Sequence, residues 1–186
     1  MSHRSQNWRP LALSLISTGA IARLIPHAPN FTPVGAISLY SGARLRSWQA
    51  YLVPILAMAI TDPIMAAISG YRAFTPVTAF VYLSFVLNVW IGEHLCKAKH
   101  AWQVGGAALA GSVQFFIITN FGMWATRVLY PHTLTGLAEC YLAGIPFFRF
   151  TLAGDLAYTA ILFGLHSWLS RRYFPRECAG AETVLP

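Results

Sequence analysis

Long apolar stretches alternate along this chain with short breaks that contain Arg, Pro or Gly. Six such stretches cover approximately residues 11–25, 34–43, 48–65, 77–96, 101–126 and 150–168. A helix that crosses about 30 Å of hydrocarbon needs roughly 20 mostly apolar residues. We therefore predict an all-α fold, a polytopic membrane helix bundle of about six transmembrane helices, with one domain at 11–173 between cytoplasmic segments at 1–10 and 174–186.

Two regions fit this pattern less simply. The stretch 34–43 is short for a crossing, and a half-helix or re-entrant segment is the alternative, provided that protein encloses it. The region between Arg127 and Arg149 contains a short apolar run at 134–143, followed by Gly144 and Pro146. We predict that this run forms a short helix over the outer face rather than a seventh crossing.

Composition supports a membrane protein. Apolar residues make up 56% of the chain and charged residues 10%, whereas soluble domains carry roughly 45–50% and about 25%. These values exclude a disordered chain or a nucleic-acid-binding domain, and three cysteines build no disulfide framework.

Positive charges are distributed unevenly between the two ends of the predicted bundle. Of the 13 Lys and Arg residues, four fall on the side away from the termini: Arg23, Arg72, Arg127 and Arg149. The other nine lie on the side of the termini. Since cytoplasmic loops are enriched in Lys and Arg, we predict that both termini are cytoplasmic and that 34–43 does cross.

Polar residues gather in the half of the bundle that this topology places outside. Ionisable groups inside membrane helices are costly and usually mark either internal pairs or a substrate pathway. Mutual neutralisation is one interpretation, and Arg149 with Asp155 is the pair that we expect to be structural. The other is an outward-facing cavity for a small polar or zwitterionic molecule, with Asn120 and Trp124 as the best ligand contacts. The predicted substrate-binding residues are Arg23, His27, Asn30, Asp62, Asn120, Trp124, Tyr130, Glu139, Arg149 and Asp155.

Catalytic patterns are missing from the sequence. There is no HExxH motif and no Ser with a base at a protease-like spacing, so we expect neither an enzyme nor a metal site or other cofactor. The GxxxxGK[ST] motif is also absent, so any ATP-driven step needs another polypeptide.

Small residues recur at four-residue spacing on the first helix, at Ser14, Thr18 and Ala22. Such faces let helices approach closely. The repeat fits either tight packing within this bundle or a docking surface for another membrane subunit.

Three stretches, at 23–36, 115–124 and 130–155, resemble a bacterial family of proteins with unknown function, domain-of-unknown-function family 6580, whose members are expected to act in transport. That family is in turn similar to the S components of energy-coupling factor (ECF) vitamin transporters. The resemblance implies a multi-pass protein of the bacterial inner membrane that captures a vitamin-like molecule from outside. It also implies a membrane coupling subunit with ATPase subunits as partners. An accessory subunit that braces a larger membrane complex is the alternative.

Overall fold

Six α-helices form the part of the protein that the computed structural model describes, which is residues 8–25, 30–45, 48–70, 72–95, 101–127 and 129–173. No strand occurs among these residues, so the all-α prediction is confirmed. The helices are α1 (Trp8–Leu24), α2 (Val34–Arg44), α3 (Trp48–Ser69), α4 (Pro76–Leu95), α5 (Ala101–Ala125) and α6 (Leu134–Tyr173).

Four of the described helices, α3 to α6, are long and apolar enough to cross a membrane. The chain is therefore a multi-pass membrane protein. Helix α1 is apolar but shorter, over Ala12–Leu24. Below, the end of the bundle where α1 begins and α6 finishes is called the terminal end, and the opposite end, where α3 finishes and α4 begins, is called the distal end.

Helix α2 is the most enclosed element of the bundle. All residues from Val34 to Gly42 are buried, although its 11 residues extend only about 16 Å at 1.5 Å per residue. Its first residue packs with Met58 and Phe85, which lie near the middles of α3 and α4. The helical part of this segment therefore covers about half of a crossing, which corrects the predicted crossing helix and agrees with the half-helix alternative.

The contact between α2 and α4 is made backbone to backbone. A Cβ atom on Gly42 would overlap the carbonyl oxygen of Val89, and a Cβ atom on Gly92 would overlap that of Leu39. Glycines let membrane helices approach this closely because no side chain separates their backbones. The two glycines therefore fix both the position and the depth of α2.

The prediction of a separate short helix before the last crossing is wrong, because α6 runs unbroken for 40 residues. Pro146 lies inside it, and a proline at that position removes one backbone hydrogen bond. Packing against α5 holds the helix on both sides of this proline, since the ring of Phe116 contacts Tyr141 and Phe148. Neighbouring helices commonly make proline tolerable in membrane helices.

Substituting either contact glycine with alanine should lower stability. We expect Gly42→Ala and Gly92→Ala each to destabilise the protein by about 1–3 kcal/mol, the usual cost of overpacking, despite the higher helix propensity of Ala. Thermal unfolding of the purified protein in detergent measures this effect. Gly106→Ala is the matched control, since a Cβ atom there meets nothing within 4 Å. Equal unfolding temperatures for all three variants would contradict the backbone contact.

Candidate functional site

A cavity of about 260 Å³ lies inside the bundle and is lined by residues from all six helices. Its apolar walls include residues near the middles of α3, α4 and α5, while Asn30 and Thr32 line it on the side of the α1–α2 connection. The cavity therefore lies near the middle of the membrane-spanning helices. The lining residues are Arg23, Asn30, Thr32, Val34, Gly35, Met58, Val81, Phe85, Asn88, Phe115, Thr151 and Asp155.

The late start of α2 accounts for the space. The residues just before Val34 are not helical, and Asn30 has a left-handed backbone with φ of 63°, a region that Asn tolerates better than most residues. A full-length helix at this position would place side chains beside those of α3 and α4 over their distal halves. Because α2 begins only at Val34, part of that volume stays open.

Arg23 enters this region from the last turn of α1 and forms an ion pair with Asp62 of α3. The distance from Arg23 Nη1 to Asp62 Oδ1 is 2.7 Å, and the same nitrogen donates to Thr61 Oγ1 at 2.6 Å. The other carboxylate oxygen accepts a hydrogen bond from the Tyr82 hydroxyl at 3.0 Å. The Asp62 carboxylate thus neutralises the charge of Arg23 and accepts hydrogen bonds from two donors, Arg23 and Tyr82.

Asp155 lies on α6 and is 4% exposed. Its Oδ2 accepts a hydrogen bond from the Ser112 hydroxyl of α5 at 2.7 Å. A Cβ atom on Gly35 would overlap Oδ1, so the carboxylate lies directly against the first turn of α2. The N-terminal end of a helix carries a partial positive charge, which favours a carboxylate at this place.

The predicted structural pair of Arg149 and Asp155 is not formed, and that prediction is wrong. Among the described residues the hydrogen-bond partner of Asp155 is Ser112, while Arg149 is exposed. The reason is helical geometry. With about 100° per residue in a helix of 3.6 residues per turn, six positions place two side chains on different faces, and α6 is continuous between them.

A pair of amides at the centre of the bundle was missed by the sequence analysis. Asn88 of α4 is 1% exposed, and its Oδ1 accepts a hydrogen bond from Gln114 Nε2 of α5 at 2.9 Å. Gln114 also donates to the carbonyl oxygen of Ser84 at 2.9 Å. The signal was available, since both amides interrupt long apolar stretches where a polar side chain needs a partner.

Asn120 and Trp124, the residues predicted to contact a ligand, lie elsewhere. Asn120 Nδ2 donates to the carbonyl oxygen of Phe116 at 2.8 Å, and its side chain packs against Gly144 of α6. Trp124 Nε1 donates to the carbonyl oxygen of Pro131 at 3.0 Å. Both side chains hold α5 to the start of α6 and its preceding loop, and neither lines the cavity.

The other predicted residues lie in several different places. Arg23, Asn30 and Asp155 line the cavity, and Asp62 lies behind Arg23. Tyr130 lines a shallow depression on the distal loop, while Glu139 and Arg149 are exposed and outside the cavity. His27 lies outside the described residues. On α1, Ser14 and Thr18 are exposed and Ala22 is half-buried.

No group of three or more His, Cys, Asp or Glu side chains that could hold a metal occurs among the described residues. The cavity instead offers one carboxylate, one guanidinium and amides among apolar and aromatic side chains. Such a lining suits reversible binding of a small molecule, in which a few polar groups orient a mostly apolar body.

Comparison with known proteins gives one match. A family model described as a family of unknown function, DUF6580, matches residues 3–179. No curated protein and no solved structure matches the chain.

Proposed function

The chain belongs to the DUF6580 family of unknown function, and we propose that it is a membrane transport protein that captures a small molecule in its central cavity. The observation that carries this proposal is the placement of Arg23, Asn88 and Asp155 around one space inside a membrane bundle. Polar and charged groups at such depth are costly and usually mark a substrate or ion pathway. A bracing subunit would gain nothing from leaving that space open, so the cavity favours capture over the accessory role.

Entry from the outer side is part of the proposal. Arg23 lines the cavity from the last turn of α1, and its ion-pair partner Asp62 lies in the distal half of α3. The uneven distribution of Lys and Arg along the sequence supports a topology with the distal end outside. A molecule from outside would then pass the last turn of α1 to reach the cavity.

The finer proposal is that the protein works in the manner of an ECF S component, as the vitamin-binding member of a larger transporter. Two features support it. The chain length of 186 residues and the six described helices are what such a component would have. The sequence contains no ATP-binding motif, so any ATP-driven step would need another polypeptide. The exposed side of α1 at Thr18, where a small side chain permits close helix packing, is the proposed docking surface for a membrane coupling subunit.

Filling the cavity should remove the bound molecule. We expect native mass spectrometry of gently purified protein to detect a bound small molecule with the wild type and to lose that signal with Val81→Trp, because the indole occupies the cavity. Leu83→Trp is the matched control, since Leu83 lies on the same helix but is 49% exposed and does not line the cavity.

Retention of the same molecule by Val81→Trp would contradict the proposed site. Loss of the molecule from both tryptophan variants would also count against it, because the effect would then not be specific to the cavity.

Enlarging a side chain on the exposed face of α1 should separate docking from folding. We expect Thr18→Leu to reduce the amount of partner protein that crosslinks to the chain in native membranes, with no change in unfolding temperature. Gly19→Leu should lower the unfolding temperature instead, since a Cβ atom at Gly19 already lies 3.1 Å from Ile37 Cδ1. An unchanged crosslinking pattern in Thr18→Leu would show that this face contacts lipid and would remove the coupling partner from the proposal.

A further inference from the structure

The charged side chains around the cavity do not balance one another. Arg23 contributes a positive charge, but Asp62 neutralises it at 2.7 Å. Asp155 also faces the cavity, and within the described part of the chain it has no ion-pair partner. The arrangement therefore leaves one uncompensated carboxyl group at the cavity wall.

The surroundings of Asp155 reduce this imbalance only in part. Ser112 donates one neutral hydrogen bond to Oδ2, and the first turn of α2 lies against Oδ1. A helix N-terminus supplies the equivalent of roughly half a positive charge. A carboxylate buried away from water still needs a full positive partner, or a proton, to avoid a cost of several kcal/mol.

The rest of the lining indicates what kind of positive partner fits. Phe85 and Phe115 line the cavity from α4 and α5, with ring centroids 5.3 Å apart, and Met58 and Val81 add further apolar surface. Aromatic faces attract ammonium groups through cation–π interactions, whereas a hydrated inorganic ion gains little from them. The volume of 260 Å³ is below the roughly 300–1,000 Å³ of sites for drug-sized ligands.

We propose that the cavity binds a small monovalent organic ammonium compound with an apolar or aromatic body, and that Asp155 is its counter-ion. This inference rests on the proposed function and narrows its substrate class. It also replaces the zwitterion expected from the sequence, because the carboxylate of a zwitterion would have to compete with Asp62 for Arg23. An anion would meet the Asp155 carboxylate with the same sign of charge, and beside a neutral molecule that carboxylate would need a proton instead of a cation.

Three probes with the same ring test this proposal: benzylammonium, benzyl alcohol and benzoate. Calorimetric titration of the purified wild-type protein in detergent, at constant ionic strength, should give at least a tenfold lower Kd for benzylammonium than for either of the others. Equal or tighter binding of benzyl alcohol or benzoate would overturn the proposal, and so would failure of benzylammonium to bind. This ranking uses the wild type alone, so it remains decisive if a variant fails to fold.

Substitution of the counter-ion provides the second arm. Asp155→Asn should abolish the preference for benzylammonium, while Glu139→Gln should keep it, because that change removes the same charge from an exposed position on the same helix. Persistence of the preference in Asp155→Asn would overturn the role of Asp155.

Capture of a small molecule and the restriction to ammonium compounds can be refuted separately. Binding of benzyl alcohol or benzoate that is tighter than that of benzylammonium, yet lost in Val81→Trp, would refute the ammonium class and leave small-molecule capture standing. Probe binding that is unaffected by Val81→Trp would refute the cavity as the site and both proposals with it.

Discussion

Helix α2 touches α4 backbone to backbone at Gly42 and Gly92, and this contact determines where the centre of the protein is filled and where it is open. It holds an 11-residue helix inside the bundle, with its first turn near the middles of α3 and α4. Toward the terminal end, α2 packs the core solidly with buried residues from Val34 to Gly42. Toward the distal end, α2 stops at Val34, its first residue. The cavity occupies part of the space that a longer helix would fill. The same contact holds the first turn of α2 against Asp155. The pair of glycines therefore positions α2 relative to both the cavity and the carboxylate at its wall.

Two buried aspartates in this bundle have different surroundings. The difference indicates which of them stabilises the fold and which is available to a ligand. Asp62 accepts from Arg23 and Tyr82, so it joins α1, α3 and α4 at the distal half of the bundle. Removing either member of such a pair leaves an isolated buried charge, which typically costs 3–5 kcal/mol. Asp155 has a serine and a helix terminus instead of a cation. A charge that the protein leaves incomplete is available to a ligand, which is why the proposed specificity rests on Asp155 and not on Asp62.

The sequence predicted the helices and part of the site for identifiable reasons. Long apolar stretches fixed α3, α4 and α5 to within a few residues, and charged residues in apolar surroundings drew attention to Arg23, Asp62 and Asp155. The continuity of α6 through Pro146 could not be predicted, because it depends on packing against α5, which no local pattern records. Asn120 and Trp124 were chosen by their neighbourhood in sequence, yet Asn120 donates within α5 to the carbonyl oxygen of Phe116 at 2.8 Å, and Trp124 donates to that of Pro131 in the α5–α6 loop at 3.0 Å. Asn88 was overlooked among apolar neighbours, although an isolated amide in a membrane helix is itself a signal.

The proposed function requires that the cavity next to the start of α2 is a binding site and not a packing defect. A density map of the wild-type protein in lipid nanodiscs, at a resolution that shows side chains, tests this claim directly when the sample is saturated with benzylammonium. We expect compact non-protein density against the rings of Phe85 and Phe115, with its polar end within hydrogen-bonding distance of the Asp155 carboxylate. A cavity closed by the surrounding side chains, or filled by a lipid chain that does not reach Asp155, would contradict it.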